Sequence, residues 1–127
     1  MTERPTLALA LLAVLALCGC SAIDHATLDG VTAMPDDSTL TSQDGQMNSG
    51  IATGFQPRVW THDFWGTHEQ KDGIAVQTSN ADVLRVAPVS DGKRFVVWAV
   101  GPGSATLSIT LDGDTAMAVP VRVTDPE

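Results

Sequence analysis

Two regularities in the second half of the sequence predict an all-β chain folded as an antiparallel β-sandwich. Turn-forming residues recur at short intervals from residue 71 onward, and the runs between them alternate apolar and polar side chains with the period of a half-buried strand. No helical period competes with that pattern. Taken in order, the chain divides into an apolar N-terminus (1–19), a polar segment (20–50) and the β-rich remainder (51–127).

The N-terminal segment holds a run of small and aliphatic residues at 7–17 that ends in Leu17-Cys18-Gly19-Cys20-Ser21. The run is shorter than the roughly 20 residues that a bilayer-spanning helix needs, and its position suits the core of a signal peptide. The junction resembles the lipobox of bacterial lipoproteins, where cleavage precedes a Cys already linked to diacylglycerol. That resemblance implies a signal peptide at 1–19, Cys20 as the lipid-bearing first residue, and a location outside the cytoplasm on the cell membrane or an outer membrane. Ser21 after that Cys resembles the signal for export to the outer membrane of a two-membrane host. Cys18 is a weaker candidate because Leu17 is bulky for a cleavage site. An ordinary secretory signal with a free thiol is the simpler alternative. The n-region departs from the pattern, since Glu3 offsets Arg4.

Residues 20–50 are rich in Ser, Thr, Asp and Gly, with turn signals at residues 34–38 and at Asp44-Gly45. Such composition predicts a flexible, solvated tether with a reach on the order of 30 Å. The alternative is a short first strand at 39–42. His25 falls in this segment with no partner visible in the sequence.

The segment Val59-Trp60-Thr61-His62-Asp63-Phe64-Trp65-Gly66-Thr67-His68-Glu69 concentrates two of the three Trp and two of the three His. Three readings compete. His62, Asp63, His68 and Glu69 carry ligand chemistry suited to Zn²⁺, although no His-Glu-x-x-His spacing is present and adjacent strand residues diverge. Trp60 and Trp65 offer stackable faces for a sugar or peptide. The bland alternative is that the aromatics fill the core.

Turns at Lys71-Asp72-Gly73, Ser79-Asn80-Ala81-Asp82, Ser90-Asp91-Gly92, Gly101-Pro102-Gly103 and Asp112-Gly113-Asp114 bound strands at 74–78, 83–89, 95–100, 105–111 and 115–123. In 105–111, Ala105, Leu107, Ile109 and Leu111 share one face and hydroxyls the other. Met117, Val119, Val121 and Val123 alternate likewise. Pro120 predicts the outer face of an edge strand or a bulge, because proline donates nothing to a ladder. The run Phe95-Val96-Val97-Trp98-Ala99-Val100 is apolar on both faces. Its second face is expected to lie under residues 51–65, with Trp98 beside Trp60 or Trp65. Otherwise Val96, Trp98 and Val100 form a partner-binding stripe.

Residues 74–123 resemble a bacterial immunoglobulin-like domain of the group 2 kind. The resemblance rests on Gln77-Thr78-Ser79-Asn80-Ala81-Asp82-Val83-Leu84-Arg85-Val86, the Asp91-Gly92 turn, the run from Ala99 through Gly101 to Ile109, and the closing strand at 119–123. Val76 stands where the family's usual core Trp falls, and residues 51–70 do not resemble its opening strands. The resemblance implies an immunoglobulin-like sandwich that spaces or binds in the cell envelope without catalysing.

Formal net charge is −8, and because Glu3 and Arg4 cancel, removal of 1–19 leaves it unchanged. That balance opposes nucleic-acid binding, which depends on phosphate neutralisation by Lys and Arg, and opposes electrostatic docking on anionic lipid. With Cys20 acylated no thiol pair remains for a disulfide. No Gly-x-Ser-x-Gly elbow or phosphate loop occurs. Gly101-Pro102-Gly103-Ser104 joins two strands with no helix following, and Asp112-Gly113-Asp114 reads as a hairpin turn in preference to a Ca²⁺ loop. The chain thus reads as a non-enzymatic envelope module with no cofactor, whose partners are the membrane through Cys20 and an envelope protein or glycan. The rival is a small metal-binding protein or enzyme built on His62 and His68.

Overall fold

The computed structural model describes residues 22–35, 37–89 and 92–125. The lipobox-like junction with Cys18 and Cys20, and Ser90-Asp91 of one turn, lie outside the described residues. Ten strands follow in order among the described residues: β1 (Ala22–Asp29), β2 (Thr39–Leu40), β3 (Gly45–Asn48), β4 (Ala52–Asp63), β5 (Gly66–Gln70), β6 (Ile74–Thr78), β7 (Leu84–Pro88), β8 (Phe95–Ala99), β9 (Gly103–Leu111) and β10 (Asp114–Thr124). They form two five-stranded sheets. One runs β1-β4-β8-β7 with β5 also paired to β4, and the other runs β2-β3-β10-β9-β6.

The core lies between the sheets, as alternation requires. Phe55, Val59, Phe95, Val97 and Ala99 point inward from the first, and Met47, Leu107, Ile109, Val119, Val121 and Val123 from the second. Phe55 and Phe95 stack with centroids 6.2 Å apart. The fold is an all-β sandwich, and the five strands expected from residue 74 onward are β6 to β10. One ladder departs from the antiparallel expectation: β3 runs parallel to β10, with Val121 opposite Gly45. Parallel neighbours need a long connection, and β3 and β10 are joined through nearly the whole domain.

The polar segment is not a tether over its described residues. It supplies β1, β2 and β3, and buries Leu28, Leu40 and Met47. Composition misleads here because each strand contributes few apolar side chains, while β1 is laddered to β4, β3 to β10 and β2 to β3. Leu28 N–H also donates to Ser42 Oγ at 3.0 Å, and Asn48 N–H to Ser38 Oγ at 3.1 Å. The short strand considered at 39–42 exists as β2, an edge partner of β3 and not the first strand.

The prolines sit where ladders break. Pro57 in β4 faces Leu28 of β1, but on the opposite edge the pairing with β8 reaches only to Phe55 and the pairing with β5 starts at Val59. Pro120 is exposed and lies one residue before the β3–β10 ladder starts. At the β9–β10 hairpin both loop residues have positive φ, 50° for Asp112 and 92° for Gly113, the geometry that an Asp-Gly pair supplies for a twisted two-residue hairpin.

Because β1 to β3 complete the core, a fragment starting at Gly50 is expected to lose its cooperative melting transition. In the full chain, Met47→Ala should cost about 2–5 kcal/mol, read by chemical denaturation.

Candidate functional site

Residues of β4 at 53, 55, 57, 59 and 61 are buried, so the intervening residues line the outer face of the sheet. There Arg58 makes a bidentate pair with Glu69 of β5, donating from Nε at 2.9 Å and from Nη2 at 2.6 Å. Its Nη1 reaches Asp29 Oδ2 of β1 at 3.3 Å, and Lys71 Nζ lies 3.2 Å from Glu69. One guanidinium therefore ties both neighbours of β4 to it. The double hydrogen bond from Arg58 outweighs desolvation and pulls the Glu69 carboxyl from its ordinary 4.5 down to about 2, while Arg58 is shifted upward by the same bond.

Arg58 also lies over the Trp60 ring, 4.9 Å from its centroid. His25 of β1 stacks on that ring at 4.3 Å and 10°, and its Nδ1 lies 2.6 Å from Asp24 Oδ2. His25, expected to have no partner, thus packs directly on Trp60. The indole is occupied from within the sheet and is not a free platform. Nor does it enter the core, since its neighbours Val59 and Thr61 take the inward positions.

Trp65 is placed quite differently. The β4–β5 hairpin closes with Asp63 opposite Gly66, leaving Phe64 and Trp65 as a two-residue tip. Trp65 N–H donates to Asp63 Oδ1 at 2.7 Å, and the positive φ of 116° falls on Gly66. Gly66 takes that φ without the clash a Cβ would bring. Phe64 is 91 % and Trp65 82 % exposed. Their rings touch edge to face at 5.2 Å, so each aromatic contacts the other and little of the sandwich.

The register separates the two histidines considered as metal ligands. His62 pairs with Thr67 and His68 with Thr61, and paired residues share a face whereas neighbours alternate. His62 therefore points outward with Thr67, 3.3 Å from its hydroxyl, and His68 points to the opposite face, 3.4 Å from Asp63 Oδ1. Glu69 is engaged by Arg58. Among the described residues no three His, Cys, Asp or Glu gather as metal ligands.

Trp98 pairs with Ala52 on one side and Arg85 on the other. It is half-buried on the outer face, with Val96 beside it and Val100 41 % exposed. Residues 51–65 do not cover it as expected: β4 joins β8 edge to edge in the same sheet, leaving a shallow apolar strip flanked by Ala52, Gly54 and Ala87. Where β5 ends and β8 has yet to begin, a cleft of about 130 Å³ opens beside Pro57, lined by Gln56, Lys71, Asp72 and Lys93. That volume is small for an organic ligand, whose sites run to roughly 300–1,000 Å³.

Sequence reasoning missed Arg58 and Asp29. The signal for Arg58 was period-two alternation through 53–61, which is disguised by the polar Thr53 and Thr61 on the buried row.

Fold and surface together define a small two-sheet β domain with a cross-strand ion cluster and an aromatic tip. No protein-family model and no curated protein matches the chain. Among solved structures it is similar to "Crystal structure of the S-layer protein SbsC domains 4 and 5", at 19% identity and TM-score 0.51, covering 79% of this chain and 54% of that one. It is also similar to "Crystal structure of the S-layer protein rSbsC(31-844)", at 18% identity and TM-score 0.51, covering 81% of this chain and 14% of that one. The chain thus spans about half of the two-domain fragment. At such identity the likeness is one of fold.

Two outcomes are expected. Between pH 4.5 and about 2 the unfolded chain protonates Glu69 while the folded one does not, so stability should fall with falling pH across that window. Glu69→Gln should flatten this component in pH-dependent melting. Trp98→Ala should cost about 1–2 kcal/mol, below the roughly 3–5 kcal/mol of a fully buried ring.

Proposed function

We propose that this chain is a lipoprotein of a bacterial cell envelope, held through diacylglycerol on Cys20. Its immunoglobulin-like sandwich serves a non-catalytic binding, adhesion or structural role outside the cytoplasm. The observation that carries this reading is the Leu17-Cys18-Gly19-Cys20 junction after a short apolar run. The likeness in fold to S-layer domains supports a surface setting. An outer face built of ion pairs, a half-buried Trp98 strip and an exposed aromatic tip suits contact with an envelope protein or glycan better than it suits catalysis.

Attachment at Cys20 has a mechanical consequence. Two or more acyl chains make anchoring durable, at about 0.8 kcal/mol per buried CH₂. With no long tether between Cys20 and β1, the sandwich is held close to the lipid surface.

The reading is tested by intact mass of the protein extracted from membranes. The expected mass is that of a chain starting at Cys20 plus diacylglycerol, and Cys20→Ser should move the protein to the soluble fraction. A membrane-extracted chain of unmodified mass would overturn it.

A further inference from the structure

We propose that the Phe64–Trp65 tip of the β4–β5 hairpin is a wedge for the membrane interface, inserting into the headgroup region of the bilayer that holds Cys20. The inference rests on the reading of Cys20 as the lipid-bearing residue and adds the orientation of the domain on the membrane.

Position comes first. Ala22, the first residue of β1, pairs with His62. Only Ser21 separates it from Cys20, and two steps of chain can span no more than about 7 Å. Phe64 and Trp65 follow His62 by two and three residues, at roughly 3.4 Å each along an extended strand. Anchor and tip therefore share one pole of the sandwich. The opposite pole holds Thr124 beside Asn48, and Ala52 beside Trp98. A lipid at Cys20 thus brings the aromatic tip, and not the far pole, to the bilayer.

Chemistry comes second. The turn is specified by the Asp63 carboxylate and by Gly66, so nothing in the hairpin calls for aromatic side chains at its tip, where small polar residues ordinarily stand. Two adjacent rings exposed by 91 % and 82 % suit the membrane–water boundary, where Trp concentrates because its body is apolar and its N–H is polar. The net charge of −8 supplies no attraction to anionic lipid. The contact is therefore apolar, independent of salt, and directs orientation while the acyl chains hold the protein.

The test uses the chain from Cys20 onward, which contains every described residue and has that Cys as its one thiol. It is coupled through Cys20 to a maleimide-headgroup lipid in phosphatidylcholine vesicles, made with or without bromine in the upper acyl chains. Bromine should quench on the order of a third of the emission, Trp65 being one of three Trp and the one at the interface. Trp65→Phe should abolish that quenching with the melting transition unchanged, and added salt should have no effect. Unquenched emission, or quenching that survives Trp65→Phe, overturns the wedge and leaves the tip to a protein partner. Intact mass of the membrane-extracted protein separates the two readings. Lipid on Cys20 without quenching removes the wedge and keeps the anchor, whereas quenching on vesicles with no native lipid removes the anchor and keeps the tip's affinity for bilayers.

Discussion

Strand β4 carries partners on both edges, and the first sheet takes its form from that strand's register. Along its twelve residues it pairs with β1 on one edge and with β8 and then β5 on the other. Its inward row, with Phe55 and Val59, closes the core against β9 and β10. A slip of one residue would send Phe55 and Val59 to solvent and drive Arg58 and Trp60 into the core. Burying an Arg without its carboxylates is among the costlier errors a chain can make, so the outer row enforces the register as firmly as the inner one.

The outer row also explains how weakly buried strands stay attached. No residue of β5 is fully buried, and β1 fully buries only Leu28. Their hold on β4 is the backbone ladder supplemented by side chains that cross it. Arg58 spans to Glu69 on one side and Asp29 on the other, while His25 lies flat on Trp60. Partly exposed ion pairs are individually weak. A single guanidinium shared between two strands is pre-organised by both, and its planar fork matches the Glu69 carboxylate in a way a Lys could not.

The sequence was legible where each strand carried its own evidence. In β9, Ala105, Leu107, Ile109 and Leu111 alternate without interruption, and Asp112-Gly113 marks the hairpin that follows, so both strands and turn could be placed from local pattern alone. The N-terminal half has no such self-sufficiency. Leu28, Leu40 and Met47 are single apolar residues in polar surroundings, and what orders β1 and β3 is hydrogen bonding to β4 and β10, which lie far away in sequence, with β2 added at the edge of β3. Trp60 was ambiguous for a related reason: its partner, His25, sits on a strand that composition disguised as tether. The divergence of His62 and His68 was visible only once the hairpin register was known, because a loop one residue longer would have put both rings on one face.

Two hairpins in the domain have the same loop length and opposite chemistry. Between Leu111 and Asp114 the chain uses Asp-Gly, with both residues in the left-handed region that this pair tolerates. Between Asp63 and Gly66 it uses Phe-Trp, and the conformational work passes to the flanking residues, one accepting the Trp65 N–H and the other taking the positive φ. That division frees positions 64 and 65 from any role in making the turn. They are equally free of the core, because the hairpin projects beyond Thr61, the last fully buried residue of β4. Side chains that neither shape the backbone nor fill the interior answer to solvent, and water disfavours two large rings side by side. Their edge-to-face contact with each other removes only part of that apolar area from water. Among the described residues the remainder has no counterpart, and Phe64 and Trp65 stay 91 % and 82 % exposed.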